Sequence, residues 1–355
     1  MLQQFLDRFS LTDFLLKIFQ IVAIIILVVG VFKSLGADKY TSGQWVTLIF
    51  AGLAQGSIYA LIALGYTLVY GILLMINFAH GDIYMAGAFT TVFLANSFAA
   101  SGFLASSPFL AVLILILFAA GVSMVLNVIV ERVAYRPLRG APRLVPLITA
   151  IGASFAIEYS FRGFYGAEFH SYPLIPALNG LNYNIAGFSV PSVQIVVLVA
   201  ALILMVALYY FIEKTKIGKA MRAVSEDKEV ARLMGIDVDK TIMITFAVGG
   251  ALAGAAGVFN GLFRPQGVFF FMGFIPGIKA FTAAVLGGIG NIPGAMFGGL
   301  FLGILEAVGP NLILEGLGIP AVNQLRDAFA FSLLVIILIF RPQGIFGEKL
   351  SEKKA

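Results

Sequence analysis

Stretches of about 17 to 25 mostly apolar residues recur along this chain, each long enough for a helix to cross a hydrocarbon layer about 30 Å thick. In lipid a backbone finds no water, so each crossing segment must satisfy its own hydrogen bonds. Spans are expected at about residues 18–32, 46–67, 83–100, 109–130, 144–160, 191–212, 243–262, 268–290, 293–312 and 328–340. Composition agrees, with 60% of residues apolar and only 12% charged over 355 residues, far from the balance of a soluble domain. The expected fold is all-α: a polytopic transmembrane helical bundle of about 10 membrane segments, some of them re-entrant or broken. The first apolar run also has the length of a secretory h-region, with Ser34 and Gly36 as small residues before a cleavage point; its weak basic start favours an uncleaved span.

Cysteine is absent, which excludes disulfides and thiolate metal sites. The sequence contains no HExxH and no paired intramembrane Asp, which argues against an enzyme, and no metal site is expected. A net charge of +5 does not imply nucleic acid here, because the basic residues are placed as topology signals. Arg132, Arg136, Arg139 and Arg143 crowd one connection, seven basic and six acidic residues fill 213–240, and Arg341, Lys349, Lys353 and Lys354 lie on the tail. The connections near 101–108, 162–190, 263–267 and 313–327 hold only Arg162, Arg264 and Arg326. The positive-inside rule then places the 131–143 loop, the 213–240 loop and both termini in the cytoplasm. Lys33 and Lys39 fall outside and count mildly against the first span.

Two places are unusual for membrane segments. No charge occurs from Thr41 to Ala79, and the run then ends in Asn77, His80 and Asp82 before apolar sequence resumes. A broken or re-entrant element fits, with these three on a translocation path or gate; a tight cytoplasmic turn with His80 and Asp82 as caps fits as well. The stretch 274–299 is rich in glycine and interrupted by Pro276, Lys279, Asn291 and Pro293, so helices can approach closely or stop inside the bilayer there. Lys279 either snorkels to an interface or serves the path or an interface between helices. Glu158 and Glu306 read as boundary residues. Phe263–Phe269 and Phe340–Phe346 share a near-identical motif, either an inverted-repeat trace or two similar helix-ending turns.

Inside the charged 213–240 loop, Ser225 can cap a helix of about 10 residues, with Glu226 and Asp227 in its first turn and Gly235 at its end. Val230, Leu233 and Met234 form one stripe, while Ala231 and Gly235 offer a shallow small-residue surface. The segment Glu229-Val230-Ala231 with Gly235 resembles the E-A-A-x-x-x-G pattern by which ABC importer permeases dock on their ATPases. An amphipathic helix on the membrane surface is the alternative.

Longer segments carry a wider resemblance. Gly56 to Gly71, Met75 to Asp82, Glu131 to Pro137, Ser225-Glu226-Asp227 with Leu233 to Ile236, and Lys279 to Gly290 together resemble branched-chain amino acid ABC transporter permeases, most closely their H-type membrane subunit. The likeness covers about residues 45–347, leaving 1–44 as an N-terminal extension expected to hold an extra transmembrane span and 348–355 as a cytoplasmic tail. It implies a bacterial cytoplasmic membrane protein that pairs with a second related permease, two cytoplasmic ABC ATPases and an extracytoplasmic solute-binding protein. It also implies a path for branched-chain or other apolar amino acids, with Glu226, Asp227, Glu229, Ala231, Leu233 and Gly235 coupling to the ATPase. No cofactor is expected in this chain: it has no G-x-x-x-x-G-K-[ST] to cradle phosphates, and ATP and Mg would be bound by the partner subunits. Urea or short amides remain an alternative cargo, and a self-sufficient carrier or channel a remoter one.

Overall fold

The computed structural model describes residues 11–37, 39–142, 144–185, 187–264, 267–341 and 343–347; Arg143 and the expected tail 348–355 lie outside them. The main helices are α1 (Leu11–Gly36), α2 (Ser42–Leu73), α3 (His80–Ala100), α4 (Pro108–Val130), α5 (Leu144–Tyr165), α6 (Ser192–Lys214), α7 (Lys216–Glu226), α8 (Lys228–Leu233), α9 (Val238–Phe263), α10 (Phe274–Gly287), α11 (Ile292–Gly309) and α12 (Arg326–Phe340). Nine helical segments among the described residues are long and apolar enough to cross a bilayer. The expected all-α polytopic bundle is therefore what the chain forms. The long loop after α5 adds one small hairpin, β1 (Asn182–Ile185) and β2 (Phe188–Pro191), paired antiparallel.

The expected span at 268–290 is the exception. Its helix, α10, has 14 residues, about 21 Å at 1.5 Å per residue, short of a full crossing. Gly288 and Gly290 break it, both at φ +94°, a conformation that glycine adopts without steric cost. The Asn291 side chain then caps α11 by accepting from Gly294 N–H at 2.9 Å. Conversely, the charge-free run from Thr41 does not re-enter. It is one 32-residue helix, α2, about 48 Å long, and the break follows it at residues 74–79, where Leu74 takes φ +56°.

α2 is the bundle's axis, buried over most of its length. Without a hydrophobic drive between helices in lipid, close backbone packing must hold such a bundle. On one side Gly299 and Gly303 of α11 lie on the backbone of Ala60, Gly52 and Gly56, leaving no room for a methyl group. On the other, Gly249 of α9 faces Gly65, while Gly254 and Gly257 receive α4 and α3. α1 stands apart, mostly exposed, and touches the 310–316 segment, where Ser34 Oγ donates to the Asn311 carbonyl at 3.0 Å. Just before α2, the Tyr40 hydroxyl donates to Glu315 at 2.5 Å. That carboxylate is the main reason its pKa is pushed up to about 12.

The two ends of the bundle differ in charge. The 74–79 break, the 131–142 connection, α7 and α8, the 288–291 turn and residues 343–347 gather at one end. Ile345 N–H donates to the Leu286 carbonyl at 2.7 Å and Asn291 Nδ2 to the Phe346 carbonyl at 3.1 Å; Gly290, Ile292, Met221, Arg222 and Gly71 line one crevice. This is the basic end. At the opposite end His170 pairs with Val268 through both backbone bonds, at 2.8 and 3.2 Å. The two Phe-Arg motifs lie at opposite ends and terminate α9 and α12 alike: Arg264 and Arg341 share φ near −130° and ψ near +77°.

A methyl group at Gly303 has no space, whereas one at Gly121 in α4 meets nothing within 4 Å. Gly303→Ala is expected to cost about 1–3 kcal/mol and Gly121→Ala to stabilise by up to about 1 kcal/mol. Thermal unfolding of the two purified variants in one detergent checks the opposite signs.

Candidate functional site

α3 begins directly after the break, so its first turn points His80 and Asp82 into the bundle rather than toward water. His80 is fully buried against Gly65, with the Tyr66 ring edge-on at 4.9 Å. Asp82 is 2% exposed, so neither residue acts as an exposed helix cap. Asp82 accepts from Ser154 Oγ of α5 at 2.5 Å, and its carboxyl also lies within hydrogen-bond reach of the Glu158 carboxyl. One turn beyond Ser154 on the same face of α5, Glu158 interacts with it. These groups open into a cavity of about 650 Å³, within the usual range of ligand sites. Its remaining wall is mainly aromatic, with Phe78, Phe155, Phe270, Phe274 and Phe281 prominent. Phe155 and Phe274 are more than half exposed, so the cavity opens to the side of the subunit.

Asn77 belongs to a separate polar chain beneath this cavity. α4 runs on into one π-helical turn, Glu131–Tyr135, and that extra residue per turn swings Tyr135 toward the break. Its hydroxyl lies 3.1 Å from the Ile76 carbonyl and 3.3 Å from Asn77 Oδ1. Asn77 Nδ2 donates to Asn127 Oδ1 at 3.3 Å, and Asn127 Nδ2 to the Phe246 carbonyl of α9 at 2.6 Å. At the same end Arg139 bridges the buried Glu131 and Asp239 in the first turn of α9, and Arg136 adds a second contact to Asp239 at 3.1 Å.

The charged loop holds two helices rather than the one expected. α7 continues through Ser225, whose hydroxyl bonds back to the Arg222 carbonyl at 2.7 Å. The cap falls instead on Asp227, in extended conformation, accepting from Glu229 and Val230 N–H at 2.8 and 3.0 Å. α8 is therefore six residues long. Gly235 ends it at φ +82°, with Ile236 N–H returning to the Ala231 carbonyl at 3.0 Å, a Schellman closure. The amphipathic helix is α7, and it turns Met221 and Val224 onto the bundle. Ala231 is also turned inward, 3% exposed, whereas Leu233 and Met234 are 86% and 78% exposed and Val230 is more than half exposed. The surface open to a partner is thus the larger apolar stripe, not the alanine. Glu226 and Glu229 flank it in solvent, Glu229 pairing with Arg232 at 3.2 Å. At the start of α8, partial burial lowers the pKa of Lys228, with the Arg139 guanidinium adding to the effect.

Lys279 neither snorkels nor lines the cavity. It is buried in α10, donating to Glu306 at 2.9 Å, to Asp327 at 2.7 Å and to the Tyr59 hydroxyl at 3.3 Å. Tyr59 in turn donates to Glu306 at 2.9 Å. This ring ties α2, α10, α11 and α12 together, and Glu306 is a core residue rather than a boundary one.

A sequence model of the family described as branched-chain amino acid transport system / permease component matches residues 48–338. The chain belongs to this family. It is 43% identical, over 85% of its length and 95% of the relative's, to the high-affinity branched-chain amino acid transport system permease protein BraD of Pseudomonas aeruginosa. It is 39% identical, over 86% of its length and 96% of the relative's, to the corresponding permease LivH of Escherichia coli K12. Similarity extends at 28%, over 84% of this chain and 92% of the relative, to a probable branched-chain amino acid permease of Methanocaldococcus jannaschii. The chain is accordingly a membrane-embedded transport permease, not an enzyme. The α1 extension begins before the matched region.

In this permease the sequence pattern pointed to Asp82 but not to its companions. Ser154 is an ordinary residue within an apolar span, and Glu158 is recognisable only as an acid where acids are scarce. Tyr135 lies in a family-like segment and Asp239 in the charged loop, but nothing in the sequence marked either of them, or Asn127, as a partner of this site. Cutting one partner from a buried ion pair is costly, whereas removing both is far less so. Lys279→Met is expected to destabilise by about 3–5 kcal/mol, with Glu306→Gln in the same chain restoring part of the loss. Unfolding in detergent, read for both variants, checks the partial rescue.

Proposed function

We propose that this permease subunit forms half of the translocation path of an ATP-driven importer of branched-chain or other apolar amino acids. Its counterpart is a second, related permease, whose surface closes the open side of the aromatic cavity. Two ABC ATPases dock on the basic end and hold ATP and Mg; a solute-binding protein delivers cargo at the opposite end. The concentration of Arg and Lys at the first end favours a cytoplasmic position for it in a bacterial cytoplasmic membrane. The apolar cavity wall suits an aliphatic side chain better than urea or a short amide.

One observation carries the reading. An exposed apolar stripe on α8 is joined, through charged groups, to the element that positions the cavity. Asp237 caps α9, Asp239 in its first turn holds Arg136 and Arg139, and Glu131 anchors Arg139 to the turn bearing Tyr135. Tyr135 meets Asn77, which immediately precedes α3 and Asp82. Movement of α8 on an ATPase would therefore reach α3 through short, packed contacts, with Glu226, Asp227 and Glu229 as the solvated surround of the docking stripe.

The test is purification with candidate partners and reconstitution into liposomes. Uptake of leucine that requires both ATP and the binding protein is expected; uptake by this chain alone, without ATP, would overturn the reading. Leu233→Asp is expected to reduce binding-protein-stimulated ATP hydrolysis by about tenfold or more, equivalent to about 1.4 kcal/mol of lost coupling. For the charged link, Arg139→Ala and Asp239→Ala are each expected to lower the amount of leucine imported per ATP. The double variant should be no worse than the poorer single one, as for residues acting as a unit. Strictly additive losses would show that the two act separately.

A further inference from the structure

We infer that Asp82, assisted by Glu158 and Ser154, is an ammonium-binding subsite within the cavity, taking the amino end of a primary amine whose aliphatic part lies against the aromatic wall. The inference rests on the reading of this cavity as part of the path and adds which end of the cargo is recognised, and where.

Three observations lead there. First, Asp82 is almost wholly buried, and beyond the Ser154 hydroxyl the polar side chain it meets at the cavity is a second carboxyl group, Glu158. Two neighbouring carboxylates in apolar surroundings repel each other, and a cation held between them relieves that repulsion. Second, the charged groups facing the cavity are one-sided: Asp82 and Glu158 are acids, and among the described residues none of the lining is Lys or Arg. Asp82 also lies in the first turn of α3, where the helix dipole favours negative charge. Third, the wall is mainly aromatic, a surface that attracts a cation and an aliphatic chain alike. A carboxylate in an aromatic box fits an ammonium group attached to apolar carbon, whereas an anion would face two acids there. The cation that touches the lining is at its rim, where Arg162 lies over Phe270 and Tyr159 at 5.4 and 5.9 Å. One turn along α5 from Glu158, it is positioned to meet the opposite end of a zwitterion.

The chain has no cysteine, so one introduced at Ile151, in the lining, reports on this cavity alone. With Ile151→Cys in the assembled importer, built with cysteine-free partners, labelling by a quaternary-ammonium methanethiosulfonate is compared with that by an anionic sulfonate analogue. Each rate is normalised to a free thiol. The cationic reagent is expected to react about tenfold faster or more, a difference equivalent to about 1.4 kcal/mol. Adding Asp82→Asn should abolish most of that preference, and 3-methylbutylamine should slow labelling with Asp82 present but not in the Asp82→Asn variant. If Asp82→Asn does not assemble, Glu158→Gln replaces it, with a smaller but measurable fall in selectivity expected. Labelling that is indifferent to reagent charge, or a preference unchanged by the substitution used, would overturn the ammonium subsite while leaving the cavity on the path. No labelling in an importer that still transports leucine would remove the cavity from the path, and with it both readings.

Discussion

Helices surrounded by lipid are not drawn together by a hydrophobic effect, because the alternative neighbour is equally apolar. What holds α2 between α9 and α11 is backbone contact made possible by glycine: Gly52, Gly56 and Gly65 on α2, Gly249 on α9, Gly299 and Gly303 on α11. That contact makes α2 a rigid spine. The elements carrying chemistry are arranged around it, with the break before α3 at one end and the Lys279 ring linking α2 to α10, α11 and α12.

Buried polar groups follow a second constraint, since each unpaired one costs free energy in a medium that offers no water. Asn77, Asn127 and Tyr135 satisfy one another and two backbone carbonyls, and Lys279 spends its donors on two carboxylates and a phenol. Asp82 instead meets a hydroxyl and another carboxyl group, at the wall of a cavity of ligand size. A polar group facing such a space has a different role from one tied into the scaffold. The distinction separates residues that looked alike in sequence: Lys279 holds helices together, and Asp82 faces the space between them.

The docking helix shows the limits of local pattern. Its end at Gly235 was legible, because a positive φ after the last turn nearly demands glycine. Its start was not, since Ser225 and Asp227 are both good caps and the continuation of α7 through Ser225 decided between them. Which face of α8 remains open was likewise settled by packing: Ala231 lies against the bundle, so Leu233 and Met234 project outward. The short α10 was signalled by its glycines, but hydropathy alone read the region as one full span.

From the sequence alone came the all-α membrane fold, the clustering of basic loops, the family, and the suspicion attached to Asn77, His80, Asp82 and Lys279. These follow from properties that each segment carries by itself: length, hydropathy, charge and motif. Tertiary structure alone decided that Lys279 meets Glu306 and Asp327, that Asp82 meets Ser154 and Glu158, and that Arg139 joins Glu131 to Asp239. Those pairs lie up to 100 residues apart, as for Arg139 and Asp239, and 72 apart for Asp82 and Ser154. They depend on which helix faces which, and that is set by the close backbone contacts of the assembled bundle rather than by any single span.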